Sequence, residues 1–246
     1  MIAVSIVSHG HGDMVARLVG QLLAFPEVAQ IILTLNVPES VALPDDARLT
    51  VIGNAKPRGF GANHNAAFAC CTQTFFCPLN PDIEFDRNPF PVLSAALADD
   101  RVALVAPLVK SPDGKIEDSM RRFPTPASLL MKALGRSDGR YVVREGQAEF
   151  APEWVAGMFM LFRSRDFQEL GGFDERFFLY YEDVDICARL WQKGMKILAC
   201  PKAGVIHDAR RDSRRSLRHL RWHLGSMARF LWKHRGRRPK VAGDTR

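Results

Sequence analysis

Ile2-Ala3-Val4-Ser5-Ile6-Val7-Ser8 is a short run rich in β-branched residues that ends at His9-Gly10-His11-Gly12, after which Val15, Leu18, Val19, Leu22 and Leu23 recur at helical spacing. The stretch reads as strand, loop and helix. Two further runs of the same kind follow: Ile31-Ile32-Leu33-Thr34-Leu35, closed by Asn36, and Leu49-Thr50-Val51-Ile52, closed by Gly53-Asn54. Strands that are apolar on both faces and alternate with helices predict a parallel sheet covered on each side, an α/β fold.

The pattern continues downstream. A helix is expected from about Ala62 to Cys71, then the run Thr74-Phe75-Phe76-Cys77-Pro78-Leu79, followed by Asn80-Pro81-Asp82. This fourth strand delivers a carboxylate at its C-terminal end, where open α/β sheets hold their ligands. A helix over Val92 to Ala98 and a strand over Val102 to Pro107 come next. Residues 111–150 mix Pro, Gly, Ser and charges without a period and read as a loop-rich insertion. Trp154 to Phe162 reads as one strand, and a helix from Arg165 to Leu170 stops at Gly171-Gly172, glycine being the common left-handed stop.

At 246 residues and 47% hydrophobic, the chain can bury one substantial core. Five cysteines without a CxxC pair argue against a disulfide framework and for a reducing, cytoplasmic location. No secretory pattern and no run of about 20 apolar residues is present, so any membrane contact is expected at the surface. The formal charge of +7 is unevenly placed: ten Arg and two Lys against one Asp between residues 210 and 240 leave the rest of the chain at −4. In that basic tail Leu217, Leu220, Leu224, Met227 and Leu231 fall on one helical stripe, with Trp222, Phe230 and Trp232 beside it. Such a helix suits an anionic membrane, the domain's own core or a partner subunit in a homo-oligomer. No helix-turn-helix, zinc-finger or RNA-binding signature accompanies the charge, so nucleic acid is not the expected partner.

The densest cluster of chemistry-bearing residues is Gly171-Gly172-Phe173-Asp174-Glu175-Arg176-Phe177-Phe178-Leu179-Tyr180-Tyr181-Glu182-Asp183-Val184-Asp185. Together with Leu79-Asn80-Pro81-Asp82 it resembles the inverting family-2 glycosyltransferases, in particular their rhamnosyltransferase-like branch. The resemblance runs from residue 2 to about 215 and is weakest across the insertion. It implies a GT-A fold with a Rossmann-like, mostly parallel sheet. The expected organisation is a transferase domain over 1–209, with a nucleotide half to about 107 and an acceptor half over 151–209, then a basic helix and tail over 210–246.

Transfer from a nucleoside diphosphate sugar needs charge stabilised on the departing phosphate and a proton taken from the attacking hydroxyl. A divalent cation does the first as a Lewis acid, and oxygen ligands suit Mg²⁺ or Mn²⁺. Asn80-Pro81-Asp82 stands in the place of the family's Asp-x-Asp, which implies Asp82 as a metal ligand and Asn80 beside the donor. His207, at the end of the apolar run after Cys200, matches a histidine that approaches the metal or diphosphate, with Ser213 a few residues on. Glu182-Asp183 matches the family's acidic pair, which makes Asp183 the first choice of general base and Glu182 the second. Acidic residues in a first helical turn also complement the helix dipole whatever their function. Asp185 and Arg189 are read as a surface i,i+4 pair worth about 0.2–0.5 kcal/mol.

On the acceptor side the resemblance implies Trp154, whose flat ring can stack on a sugar, Gly157, Asp174 and Glu175. On the nucleotide side it implies Ser8, Asn36, Arg58, Gly59 and Asn65. Two departures stand out: Leu35-Asn36 replaces the Asp-Asn that ends the second strand in many relatives, and Pro57-Arg58-Gly59 replaces Asn-x-Gly. The expected activity is transfer from dTDP-rhamnose or a UDP-sugar to a hydroxyl of a glycan or lipid-linked acceptor in surface polysaccharide or cell-wall synthesis. The alternatives are a sugar nucleotidyltransferase and a non-catalytic basic binding protein.

Overall fold

In the computed structural model residues 1–136, 139–208, 217–237, 239 and 241 are described. Ser213 and the cluster Arg210, Arg211, Arg214 and Arg215 lie outside them. The first half alternates as the sequence predicts: β1 (Ile2–Ser8), α1 (Asp13–Leu23), β2 (Val28–Leu35), β3 (Leu49–Gly53), α2 (Phe60–Phe68), β4 (Phe75–Leu79), β5 (Ile83–Glu84), α3 (Phe90–Ala96) and β6 (Val102–Lys110). The 111–150 segment contains the short β7 (Met120–Arg121) and α4 (Pro126–Ala133). The Thr125 side chain caps α4 reciprocally with Ser128, and Pro126 opens its first turn. The second half comprises β8 (Trp154–Val155), β9 (Leu161–Arg163), α5 (Ser164–Leu170), α6 (Glu182–Gln192), β10 (Lys196–His207) and α7 (Leu217–Lys233).

Among the described residues, eight strands form one sheet in the order β3-β2-β1-β4-β9-β6-β10-β5. The β3-β2-β1-β4 block and the β6-β10 pair are parallel; β9 runs antiparallel to both β4 and β6, and β5 runs antiparallel to β10. Successive residues of β1 point to opposite faces, so Val4 and Ile6 pack with Val15, Leu18 and Leu22 of α1 and with Phe90 and Leu93 of α3. Ala3 faces the other layer, where Ala67, Phe167, Ile186 and Leu190 bring in α2, α5 and α6. Gly171 closes α5 at φ 76°, as its position predicts.

Three expectations change. The run Trp154–Phe162 is not one strand: it breaks at Gly157, because the Gly157 N–H turns to a side chain of α6 while Met158 and Met160 bond the end of β4. The Asp185–Arg189 pair forms at 2.7 Å, but Asp185 is fully buried. Its carboxylate also meets Lys233 at 2.6 Å and His234 at 2.9 Å. The pair is therefore part of a buried clamp under the C-terminal helix, not a surface contact. The third change is in α7, whose docked face is not the leucine stripe. Ser226, Phe230 and His234 are buried, whereas Leu217, Leu220 and Leu224 stay exposed. No helix among the described residues is long and apolar enough to cross a membrane.

Candidate active site

The C-terminal ends of β1 to β4 and the loops after α5 converge on one side of the sheet. Three asparagines organise the loops that follow β2 and β3. Asn36, at the end of β2, accepts from the Arg58 N–H at 2.8 Å and donates to the Arg58 carbonyl at 3.0 Å. Asn54 donates to Asn36 at 2.9 Å and to Asn63 at 2.7 Å, and Asn63 donates to the same Arg58 carbonyl. The Arg58 backbone is thus held by three hydrogen bonds from two side chains, Asn36 and Asn63, with Asn54 bridging them. Gly59 follows, where a Cβ would stand 2.5 Å from the Phe178 carbonyl oxygen. Only glycine allows this approach, through which the Phe60 N–H donates to Phe178 and the loop after β3 joins the loop before α6.

Ser8 is buried at the end of β1, where its hydroxyl accepts from the His11 N–H at 3.3 Å. In the same loop the Gly10 and Gly12 N–H groups donate to the carboxylate of Glu39 at 3.1 and 3.0 Å. Burial opposes its charge, but the hydrogen bonds from Ser8, Gly12 and Gly10 win and hold Glu39 below its ordinary pKa. Nothing in the sequence pattern marks Glu39, because its partners are backbone groups of a loop 27 and 29 residues away.

Asp82 lies just past β4. Its Oδ2 is 3.2 Å from His207 Nε2, and the other ring nitrogen is 2.7 Å from Glu117. Burial alone would lower the pKa of His207, but the two carboxylates outweigh it and lift it to about 9. The Oδ1 of Asp82 is buried with no hydrogen-bond partner. Among the described residues no group of three or more His, Cys, Asp and Glu side chains is gathered around a cation position. Two side chains could hold a cation here: Asp82, with its unpartnered oxygen, and His207, which would have to give up its Nε2 proton on binding while Nδ1–H stays on Glu117. Glu117 sits in the irregular insertion, where no spacing singles it out. Asn80 shows its backbone role here, its N–H donating to the Met158 carbonyl at 2.9 Å.

Glu182 and Asp183 open α6 directly after Tyr180 and Tyr181, which adopt φ 69° and 67°. Left-handed backbone at two consecutive aromatic residues costs about 1–3 kcal/mol each, so packing must hold it. Phe230 and His223 of α7 contact the Tyr181 ring, and the Tyr180 hydroxyl is 3.0 Å from His219 Nδ1. Glu182 is buried with Oε2 unpartnered, and burial plus the neighbouring Asp183 push its pKa well above the carboxylate range. Burial also raises Asp183, against the stabilising N–H groups of Val184 and Gly157. Both line a cavity of about 1160 Å³, with Arg121, Arg122, Trp154 and His223 also in its wall. The Trp154 indole is anchored by a 2.9 Å bond to the Arg122 carbonyl.

The remaining expected residues are engaged with the protein itself. Asn65 clamps Phe173 through both its amide groups at 2.9 Å and reaches Glu175 at 3.1 Å. Glu175 also lies 3.9 Å from Arg58. Asp174 is paired with Arg176 at 2.6 Å and Lys233 at 2.7 Å, which hold its carboxyl far below the ordinary range against the effect of burial. It ties the loop to α7.

Comparisons with known proteins agree with this architecture. A family model described as glycosyl transferase family group 2 matches residues 135–240. The chain is 31% identical over 250 residues to the rhamnosyltransferase WbbL of Escherichia coli (strain K12), covering 96% of this chain and 94% of that protein. It is 33% identical over 162 residues to an N-acetylglucosaminyl-diphospho-decaprenol L-rhamnosyltransferase of Mycobacterium tuberculosis (strain CDC 1551 / Oshkosh), covering 62% of this chain and 53% of the relative. Among solved structures, GalNAc-T7 with UDP, GalNAc and Mn²⁺ superposes with a TM-score of 0.69 at 18% identity, over 86% of this chain and 44% of that one. The mannosyltransferase PcManGT from Pyrobaculum calidifontis with GDP-Man and Mn²⁺ gives 0.59 at 14% identity, over 93% and 64%. These structural likenesses establish the GT-A fold, and the identity to WbbL across nearly the whole of both chains establishes the rest: the protein belongs to the family-2 glycosyltransferases, in their rhamnosyltransferase-like branch.

Proposed function

We propose that this glycosyltransferase transfers a sugar, with inversion, from a nucleoside diphosphate sugar to a hydroxyl of a lipid-linked glycan at the cytoplasmic face of a membrane, in the synthesis of a surface polysaccharide or cell wall. The observation that carries the reading is the junction at Gly157-Met158. Gly157 donates to Asp183, and Met158 accepts from Asn80. Adjacent Cα atoms are about 3.8 Å apart, so the candidate base and the segment bearing Asp82 are tied to one dipeptide. The names of the two rhamnosyltransferase relatives support dTDP-rhamnose as donor, with a UDP-sugar as the other candidate, and the decaprenol-linked relative supports a lipid-linked acceptor.

On this reading the clamped Arg58 loop and Ser8 position the nucleotide, and Asp82 with His207 holds Mn²⁺ or Mg²⁺ at the diphosphate. The cation, when bound, neutralises charge developing on the leaving group. Asp183 takes the proton as the acceptor oxygen bonds the anomeric carbon from the face opposite the breaking carbon–phosphate-oxygen bond. Burial and the neighbouring Asp183 both disfavour charge on Glu182, which favours Asp183 as the base. The test is transfer of radiolabelled sugar to a short-chain polyprenyl diphosphate glycan, with dTDP-rhamnose and UDP-sugars compared with and without Mn²⁺. A thermal-shift panel comes first, since a donor at about 100 times Kd stabilises by about 2.7 kcal/mol. Absence of both stabilisation and transfer across the panel sinks the proposal.

A further inference from the structure

The wall of the Glu182–Asp183 cavity does not end at its mouth. Leu231 of α7 lines the cavity, and at helical spacing it is the first member of the row that continues through Leu224 and Leu220 to Leu217. The outer three are 49%, 53% and 79% exposed. Fourteen residues of helix carry this row about 21 Å away from the cavity. Across the mouth, α4 repeats the arrangement: Leu129 and Lys132 line the cavity, while Leu130 and Leu134 are 61% and 59% exposed. Trp232 projects on the outer side of α7.

Neither α4 nor α7 contains an acidic residue, and Lys132, Arg218, Arg221 and Arg229 add cations to the two helices; Lys233 is committed to Asp174 and Asp185, and the cavity wall below holds Arg235 with Glu153, Glu182 and Asp183. Apolar residues flanked by cations and an exposed tryptophan match the interface of an anionic bilayer, and a cationic rim disfavours pairing with a second copy of itself. The other face of α7 is already committed to the domain through Ser226, Phe230 and the Asp185 clamp.

We propose that α4 and α7 form a collar that seats on an anionic lipid surface, with the leucine row of α7 immersed and the cavity mouth turned toward the headgroups. This rests on the reading of that cavity as the acceptor site. It makes the membrane the presenting surface for the acceptor, whose apolar chain stays in the bilayer while its glycan enters between the two helices.

The full chain is tested by cosedimentation with vesicles of equal phosphatidylglycerol and phosphatidylcholine, and with pure phosphatidylcholine, at low and high salt. The triple variant Leu217→Ser, Leu220→Ser, Leu224→Ser alters only exposed side chains, so its melting temperature should match the wild type. Its partitioning onto the anionic vesicles should fall about tenfold or more, loss of wild-type binding at high salt should be steep, and pure phosphatidylcholine should bind weakly. A second variant, Leu130→Ser with Leu134→Ser, should also weaken binding. Wild-type protein that ignores the anionic vesicles at low salt, or a triple variant that binds as wild type, overturns the proposal. So does sedimentation equilibrium showing a wild-type dimer that the triple variant converts to monomer with vesicle binding unchanged. Transfer to a short-chain, water-soluble acceptor is measured in parallel. It should survive in the triple variant, and its absence in wild type alongside intact vesicle binding would count against the transferase reading alone.

Discussion

The Gly157 N–H donates to Asp183 Oδ2 at 3.0 Å, and this bond fixes the candidate base to the segment that breaks between β8 and β9. A Cβ on Gly157 would stand 3.4 Å from Phe60 and 3.5 Å from Asp183, so the segment is packed closely between the nucleotide-side loop and α6. Four stretches distant in sequence (58–60, 80–82, 157–158 and 178–183) are joined by two backbone–backbone bonds, Phe60 to Phe178 and Asn80 to Met158, and by the Gly157 bond to the Asp183 side chain. The acidic pair is delivered on a strained turn that α7 supports from outside.

Asp183→Asn should retain donor binding and lose transfer by about 10²- to 10⁴-fold, since the amide keeps the size but cannot accept the proton. Glu182→Gln should keep most activity, because burial and the neighbouring Asp183 both disfavour charge on Glu182. The pair titrates together, so the acid limb of the pH–rate profile belongs to both. With both groups raised by burial, that limb should lie above the ordinary aspartate range. Stopped-time transfer assays over a pH series decide it: a strongly impaired Glu182→Gln beside an active Asp183→Asn would exchange the two roles.

Asp82→Ala removes the carboxylate with the unpartnered oxygen and leaves His207 with Glu117 alone. Calorimetry with dTDP or UDP should show affinity that depends on Mn²⁺ in the wild type and loses that dependence in the variant. Equal affinity in all four combinations would remove Asp82 and the metal from donor binding.

The parallel block and its helices were legible in the sequence because β1, β2 and β4 are apolar on both faces and their period is local. Asp82 and the Glu182–Asp183 pair were expected from the resemblance to the family-2 glycosyltransferases, and they lie just past β4 and at the start of α6. The break at Gly157 was hidden inside a continuous apolar run, since nothing local tells a strand from a segment whose N–H groups bond elsewhere. Glu117, Glu39 and the clamp on Arg58 depend on partners distant in sequence. The tail shows the limit of periodicity: the leucines share a stripe, yet the domain binds the aromatic and polar flank, because Tyr180, Tyr181 and Asp185 offer rings and charge there.

Asn36→Ala should release the Arg58 peptide, whose N–H and carbonyl both bond this side chain. Unsatisfied groups in a partly buried site cost about 1–3 kcal/mol, so the melting temperature should fall by several degrees. The sharper readout is donor binding: the KM for donor should rise more than kcat falls, since the clamp positions the nucleotide-side loop and not the base. A variant with normal stability and normal donor KM would show that the Asn36-Asn54-Asn63 cluster does not set this loop.

Asp185 links α7 to α6, meeting Arg189, Lys233 and His234 while fully buried. Burial by itself would raise its pKa, but the hydrogen bond from His234 and the charges of Arg189 and Lys233 outweigh it and the carboxyl ends below its ordinary value. The stabilisation is therefore complete above the unfolded-state pKa of about 3.9 and is lost as pH falls through the lower folded value. Replacing Asp185 by Asn at neutral pH leaves buried cations without their counter-charge, at a cost of about 3–5 kcal/mol. Thermal melts should show a drop on the order of 10 °C, and limited proteolysis should cut α7 sooner than in the wild type. Because α7 braces the left-handed Tyr180-Tyr181 turn, transfer at permissive temperature should also fall, with donor affinity preserved. If Asp185→Asn melts and transfers as wild type, the clamp does not hold α7, and the support of the acidic pair must come from the aromatic contacts of Phe230 and His223 alone.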